Sequence, residues 1–282
     1  MRDGSLRVFG AALPIRGMLM NAPFSSETLA AVEVCLAGAS ALLYSEPAVP
    51  AVAAQVAACQ FASAPFAADN ARAARGLALM DGWCAEAVRA AGLAVDGGGS
   101  VPAEAAVAEV AAVLAEDVSF AERVGELRRE WLRLFVGAGA PEASCLESFY
   151  VEPNSHMFGR TALTARAAYR RHGLVSERVG REPDDHLALM LGFLARLVQE
   201  ERAAREAGDE AAADEAAVEQ EAFLTEHVLP WLAAWRYAVE KHARTDYFRG
   251  LGDFVFGLCA CYAERFGIRY DEAAQAFKKR LG

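Results

Sequence analysis

The chain has 282 residues, 54% of them hydrophobic, and a formal net charge of −10. That length is enough to bury a real core, and alanine, the best helix former, supplies much of the apolar fraction. The acidic balance argues against a general phosphate-seeking face for nucleic acid and suits a basic partner.

Residues 1–24, with Arg2, Arg7 and Arg16, read as a disordered leader before an all-helical domain over 25–282. The apolar run Leu29–Tyr44 is interrupted by Glu33 and falls short of the ~20 residues of a membrane span, so no stable membrane insertion is expected. Ser25 and Ser26 are N-cap candidates for this helix, which closes before Pro47. A second helical piece runs to about Ser63, and a third spans Asn70 to Ala91 and stops at Gly92. The stretch "DGGGS", 96–100, is a loop, and a helix follows from Pro102 to Glu116.

From Ser119 to Val136 one stripe carries Phe120, Val124, Leu127, Trp131, Leu134 and Phe135. The opposite face holds Glu126 with Arg129 and Glu130 with Arg133 as i,i+3 pairs. After a loop over 137–158 a helix reaches His172, where Arg170, Arg171, His172 and Gly173 form a favourable C-terminus. In "EPDDHLALMLGFLARLVQEERAAREAG", Pro183 suits the first helical position and Asp184 and Asp185 the first turn. Leu187 to Val198 is apolar almost all round, the pattern of a central bundle helix. Residues 200–222 turn polar and read as an exposed arm or hinge broken near Gly208.

Pro230 is expected to end one helix and begin the next. Tyr247, Leu251, Phe254, Leu258 and Tyr262 mark a buried helix closed by Gly267, and a last short helix follows from about Asp271. No alternating strand pattern is visible. The expectation is all-α, a single bundle of roughly ten helices.

Catalytic signatures are missing. "GAG" at 137–139 follows a helix, not a strand, so it is no phosphate cradle, and no zinc spacing or nucleophile elbow occurs. Cys259 and Cys261 would point roughly 200° apart on a helix and could not grip one metal. The six scattered cysteines fit reduced thiols in a cytoplasm. His186 shares a stripe with Met190, Phe193 and Leu197, a packing position, and Glu147 has no acid or histidine beside it in sequence. No metal and no cofactor is expected.

Three stretches resemble the TorD/DmsD/NarJ-type chaperones, which mature molybdenum-containing redox enzymes. In "WLRLFVGAGAPEASCLESFY", Leu134 and Phe135, then Pro141, then Glu147, Ser148, Phe149 and Tyr150 match the family signature. "EPDDH", Glu182 to His186, looks like its Glu-Pro-x-Asp-His motif, and "EHVLPWLAAW" offers His227, Pro230 and Trp231. Ser144, Cys145 and Leu146 stand where the family has Pro-Pro-Trp, which predicts a looser loop with a smaller apolar contact.

The resemblance covers the chain from about Ser26 to Gly267 and implies an all-helical cytoplasmic chaperone, monomeric or a dimer exchanging C-terminal helices. It implies binding to the twin-arginine signal peptide or the catalytic subunit of a molybdoenzyme, before export or assembly. Such a leader is a basic patch followed by an apolar segment, so carboxylates and a greasy groove are needed. The candidate client-binding residues are Leu146, Glu147, Tyr150, Pro183, Asp184, Asp185 and His186. Two alternatives stand beside this: a chaperone gripping the mature part of a subunit, and a helical enzyme using His186 with Asp185 or Glu147.

Overall fold

Side-chain caps set most of the helix starts. Ser25, Asn70, Asp117 and Thr245 each accept a hydrogen bond from a backbone N–H of the first turn that follows. The computed structural model describes residues 24–92, 104–137, 139–152, 158–175 and 183–279. Residues 1–23 of the leader expected over 1–24, the "DGGGS" loop, His156 and Glu182 lie outside the described residues, while Phe24 packs against Phe66.

In chain order the helices are α1 (Ser26–Tyr44), α2 (Val49–Ala57), α3 (Ala71–Ala90), α4 (Glu104–Glu116), α5 (Val118–Trp131), α6 (Glu147–Val151) and α7 (Arg160–Arg171). They continue as α8 (Leu187–Glu206), α9 (Glu210–Phe223), α10 (Leu229–His242) and α11 (Asp246–Glu264). The all-α expectation holds over these elements.

α8 is the central helix. It packs against α1 on one side and α9 on the other, and Leu187, Met190, Leu191, Leu194, Leu197 and Val198 are fully buried. Burial of each such side chain contributes about 1.5–3 kcal/mol, so this helix holds much of the core. α1 is apolar and long enough to cross a membrane by length and composition alone, but Leu29, Val32, Leu36, Ala39 and Leu43 are buried, in the helix that packs on α8.

The second tight contact is between α3 and α11. A Cβ on Gly76 would lie 2.5 Å from the Gly250 carbonyl oxygen, so only glycine permits this approach of backbones. The predicted stripe of α11, Tyr247, Leu251, Phe254, Leu258 and Tyr262, is buried throughout.

Several expectations need correction. The last short helix is instead a two-stranded antiparallel hairpin, β1 (Ile268–Asp271) and β2 (Ala276–Lys279), with Tyr270 opposite Phe277. Aromatic contacts explain it: Tyr270 and Phe277 lie against each other and both against Phe256 of α11. The polar stretch after Glu200 is no exposed arm, for α9 folds back on α8 at Gly208 (φ +75°) and buries Ala213, Ala217 and Gln220.

Glu130 faces inward. It is buried and accepts from the backbone N–H groups of Arg244 and Thr245, tying α5 to the start of α11. Pro230 stands in the first turn of α10, as expected, and so begins that helix. Residues Leu224–Val228 form a wide π-turn between α9 and α10, closed by Leu229 N–H to the Leu224 carbonyl. Proline has no N–H and its ring crowds the carbonyl four residues back, and widening the turn relieves both problems. A second π-turn, Leu132–Val136, ends α5 at Gly137.

One network of buried charges centres on Glu201. Arg265 donates to both oxygens of Glu201, at 2.5 and 2.8 Å, and Arg205 and Gln220 also donate to that carboxylate. The Tyr262 hydroxyl closes it onto Gln220. This joins α8, α9 and the end of α11.

Candidate functional site

The chain from Gly137 to Leu146 carries the end of α5 back towards α8. Gly137 has φ +70°, and a Cβ there would fall 2.8 Å from the Gly139 carbonyl oxygen and the Pro141 nitrogen. Beyond the turn, Ser144 and Cys145 are buried and Leu146 is half-buried. Leu146 and His186 form an antiparallel bridge, with Leu187 N–H on the Cys145 carbonyl (2.7 Å) and Glu147 N–H on the Asp185 carbonyl (3.0 Å). The expected looser loop is therefore a pinned one. Ser144 and Cys145 are buried where the chain meets the start of α8, and burial pushes the Cys145 thiol up to about 12.

The start of α8 also differs from expectation. The helix begins at Leu187, and His186 is its N-cap, its Nδ1 accepting from Ala188 N–H at 3.1 Å. Pro183, Asp184 and Asp185 thus precede the helix as a turn, and the carboxylates do not lie in its first turn. Asp184 is buried and takes Arg166 Nε and Nη2 at 2.8 and 2.5 Å, while its carbonyl accepts the Tyr169 hydroxyl at 2.9 Å. Asp185 is fully buried. Its Oδ2 accepts Ser148 N–H (2.9 Å), in the first turn of α6, and Thr161 Oγ1–H (3.0 Å) on α7. Its Oδ1 is buried with no hydrogen-bond partner.

Glu147 has the partner that its sequence neighbours lack. His227 Nδ1 lies 2.9 Å from Glu147 Oε2, and both residues are buried. Burial pushes the Glu147 carboxyl above the usual carboxylate range, against the opposing pull of His227, and the nearby Asp185 adds to the rise. His227 is placed by the π-turn, its carbonyl accepts Trp231 Nε1–H at 2.6 Å, and Trp231 stacks on Tyr150 at 5.2 Å between centroids. Tyr150 is half-buried, with its hydroxyl buried and unpartnered. Phe149, its neighbour, is 45% exposed.

The predicted residues thus come together, but as a largely buried knot. Leu146, Glu147, Pro183, Asp184, Asp185 and His186 meet where α6, α7 and α8 begin, and Tyr150 joins through Trp231. Sequence reasoning missed His227, Ser148, Thr161, Arg166 and Trp231 as members. Ser148 lies in the first matching stretch and His227 and Trp231 in the third, and those matches are the signal the sequence offers for them. The enzyme alternative loses its geometry: His186 Nδ1 is engaged in capping, and the Asp185 oxygen that has partners is held by a backbone N–H and a hydroxyl.

Residues 101–236 match the family described as nitrate reductase delta subunit. The chain is 27% identical over 129 residues to the Tat proofreading chaperone DmsD of Salmonella typhimurium, covering 46% of this chain and 56% of that protein. It is 26% identical over 140 residues to the chaperone protein TorD of Vibrio vulnificus, covering 48% of this chain and 61% of that protein. The chain therefore spans 56% to 61% of the length of these curated relatives. The matched region holds all three motif stretches and is narrower than the Ser26–Gly267 span expected from them.

Proposed function

We propose that this chain, which is similar to the TorD/DmsD/NarJ-type chaperones through residues 101–236, is a client-specific cytoplasmic chaperone. Its client is the catalytic subunit of a molybdenum-containing oxidoreductase, gripped by the twin-arginine signal peptide, by the folded part, or by both, while the cofactor is inserted. It works as a monomer or with C-terminal helices exchanged between two copies. It does not catalyse a reaction. The relatives it matches are named as chaperones.

One observation carries the reading. Stretches about 40 residues apart, at Glu147, Asp185 and His227, converge on one cluster that holds three buried carboxylates, Glu147, Asp184 and Asp185, and one of their oxygens, Asp185 Oδ1, has no donor. A buried charged acceptor without a donor is costly, and a guanidinium supplies the strongest remedy. In the closed arrangement that oxygen is fully buried, so a client arginine reaches it only if α6 moves off the α8 turn. The Glu147–His227 pair ties α6 to the π-turn before α10, beside the Tyr150–Trp231 stack, and opening exchanges the histidine for the client's arginine.

The test is capture from the protein's own cells with a tagged full-length chain. The account expects one molybdoenzyme catalytic subunit, recovered as the leader-bearing precursor. Recovery of the leaderless subunit alone assigns the grip to the mature part. Recovery of no molybdoenzyme subunit sinks the chaperone reading.

A further inference from the structure

The motif cluster is buried, whereas a leader also needs an open apolar surface. On the outer side of the π-turn that carries His227 lies a groove of about 600 Å³ between the α9–α10 ridge and the hairpin. Val218, Leu229, Pro230, Ile268 and Phe277 line it, and Val218 is 52% exposed on its wall. β2 runs along the other wall. It has β1 on one side and, among the described residues, no strand on the other, so it offers an unpaired backbone edge.

The charge on the groove has one sign in excess. Glu226 is exposed on its lip and makes no ion pair among the described residues, while Lys279 is already paired with Glu221. α9, which forms one wall, carries no lysine or arginine; its Glu210 and Asp214 are paired with Arg205, Glu219 with Arg171 and Glu221 with Lys279, so Glu226 is the acid that the groove leaves unpaired among the described residues that line it. A basic segment followed by an apolar one matches both features: extended apolar residues in the groove, a basic residue at the Glu226 lip.

We propose that this groove is the docking site for the apolar stretch of the client's leader, which adds to β2 as a third strand. The proposal rests on the chaperone reading above. It also links the two regions, because Glu226 and Leu229 on the groove side flank His227 on the cluster side. A peptide pressed against the outer face of the π-turn bears on the same residues that hold the Glu147–His227 pair.

The experiment titrates the full chain with a synthetic twin-arginine leader from the molybdoenzyme it captures, and compares wild type with the Val218→Arg, Glu226→Arg double variant. Both positions are on the surface, so the fold is retained. The variant removes a half-buried apolar contact and reverses a charge, and an affinity loss of about tenfold or more is expected. Amide hydrogen exchange read in parallel on wild type shows new protection at Ala276–Lys279 when peptide is bound. Equal affinity in the variant, or unprotected β2 amides in the wild-type complex, overturns the groove while leaving the chaperone reading intact. Protection of β2 that depends on protein concentration and not on peptide gives the groove to a second copy and likewise overturns the proposal. Failure of wild type to bind the leader removes the premise and the proposal together.

Discussion

Replacing Asp185 by alanine and, separately, by asparagine separates what its charge does from what its shape does. The carboxylate receives two buried donors, Ser148 N–H and Thr161 Oγ1–H, on two different helices. Hydrogen bonds to a charged acceptor contribute about 1.5–3 kcal/mol apiece, so stranding both donors costs about 3–6 kcal/mol. Deleting the carboxylate also removes the cost of burying the unpartnered Oδ1, about 1–3 kcal/mol. Taken at the midpoints, the net for Asp185→Ala is a loss of about 2–3 kcal/mol. Asparagine keeps an acceptor for both donors and exchanges one unmatched buried group for another without the charge. Its stability change should stay within about 1 kcal/mol. Urea unfolding midpoints at constant slope measure both. A loss under about 0.5 kcal/mol for Asp185→Ala, or equal losses for the two variants, would refute the assignment of Oδ2 as the tie between α6 and α7. Asp185→Asn should nevertheless weaken leader binding, because a neutral amide cannot recruit a guanidinium.

Three further outcomes are expected. Burial holds the Glu147 carboxyl above its ordinary range, so the folded protein binds that proton more tightly than the unfolded chain does. This contribution is full below the ordinary glutamate range and is lost as pH rises through the folded-state value. Stability profiles from about pH 4 to 8 should therefore show wild type losing ground to Glu147→Gln as pH climbs, and parallel profiles would contradict it. Arg265→Met strands Glu201 with Arg205 and Gln220 as its remaining donors and should cost about 3–5 kcal/mol in chemical denaturation, with a value near zero arguing against the network. Gly250→Ala places a Cβ 2.5 Å from the Gly76 carbonyl oxygen and should destabilise by about 3 kcal/mol, seen as a lowered melting temperature.

Helices were legible because their signal is local. The stripes of α5 and α11 and the all-round apolar run of α8 repeat over three or more turns, and Gly92, Gly173, Gly208 and Gly267 mark ends with positive φ. The hairpin was not legible. Four-residue strands are too short to show alternation, and what fixes them is Phe256, on another element. Glu130 read as a solvent residue because its i,i+3 partner is Arg133, yet the contact that decides its place is with the backbone 114 residues on.

The site divides in the same way. Motif matching found Glu147, Asp184, Asp185 and His186 but set the two aspartates in a first helical turn, since nothing local reveals that His186 caps α8 instead. Glu147 looked solitary because its partner lies 80 residues away, delivered by a π-turn that Pro230 forces and that no pattern of apolar residues announces. The departure at Ser144–Leu146 was visible, but not its setting: the bridge between Leu146 and His186 pins this loop to the start of α8.

The central claim is that this chain recognises a twin-arginine leader through carboxylates. Calorimetric titration of the full-length protein with leaders of the same genome's molybdoenzymes, at low and at high salt, tests it most directly. The account predicts one binding leader, an affinity that falls as salt rises, and loss of binding when both arginines are replaced by glutamine. Absence of heat with every leader, or binding indifferent to salt and to the arginines, would contradict it.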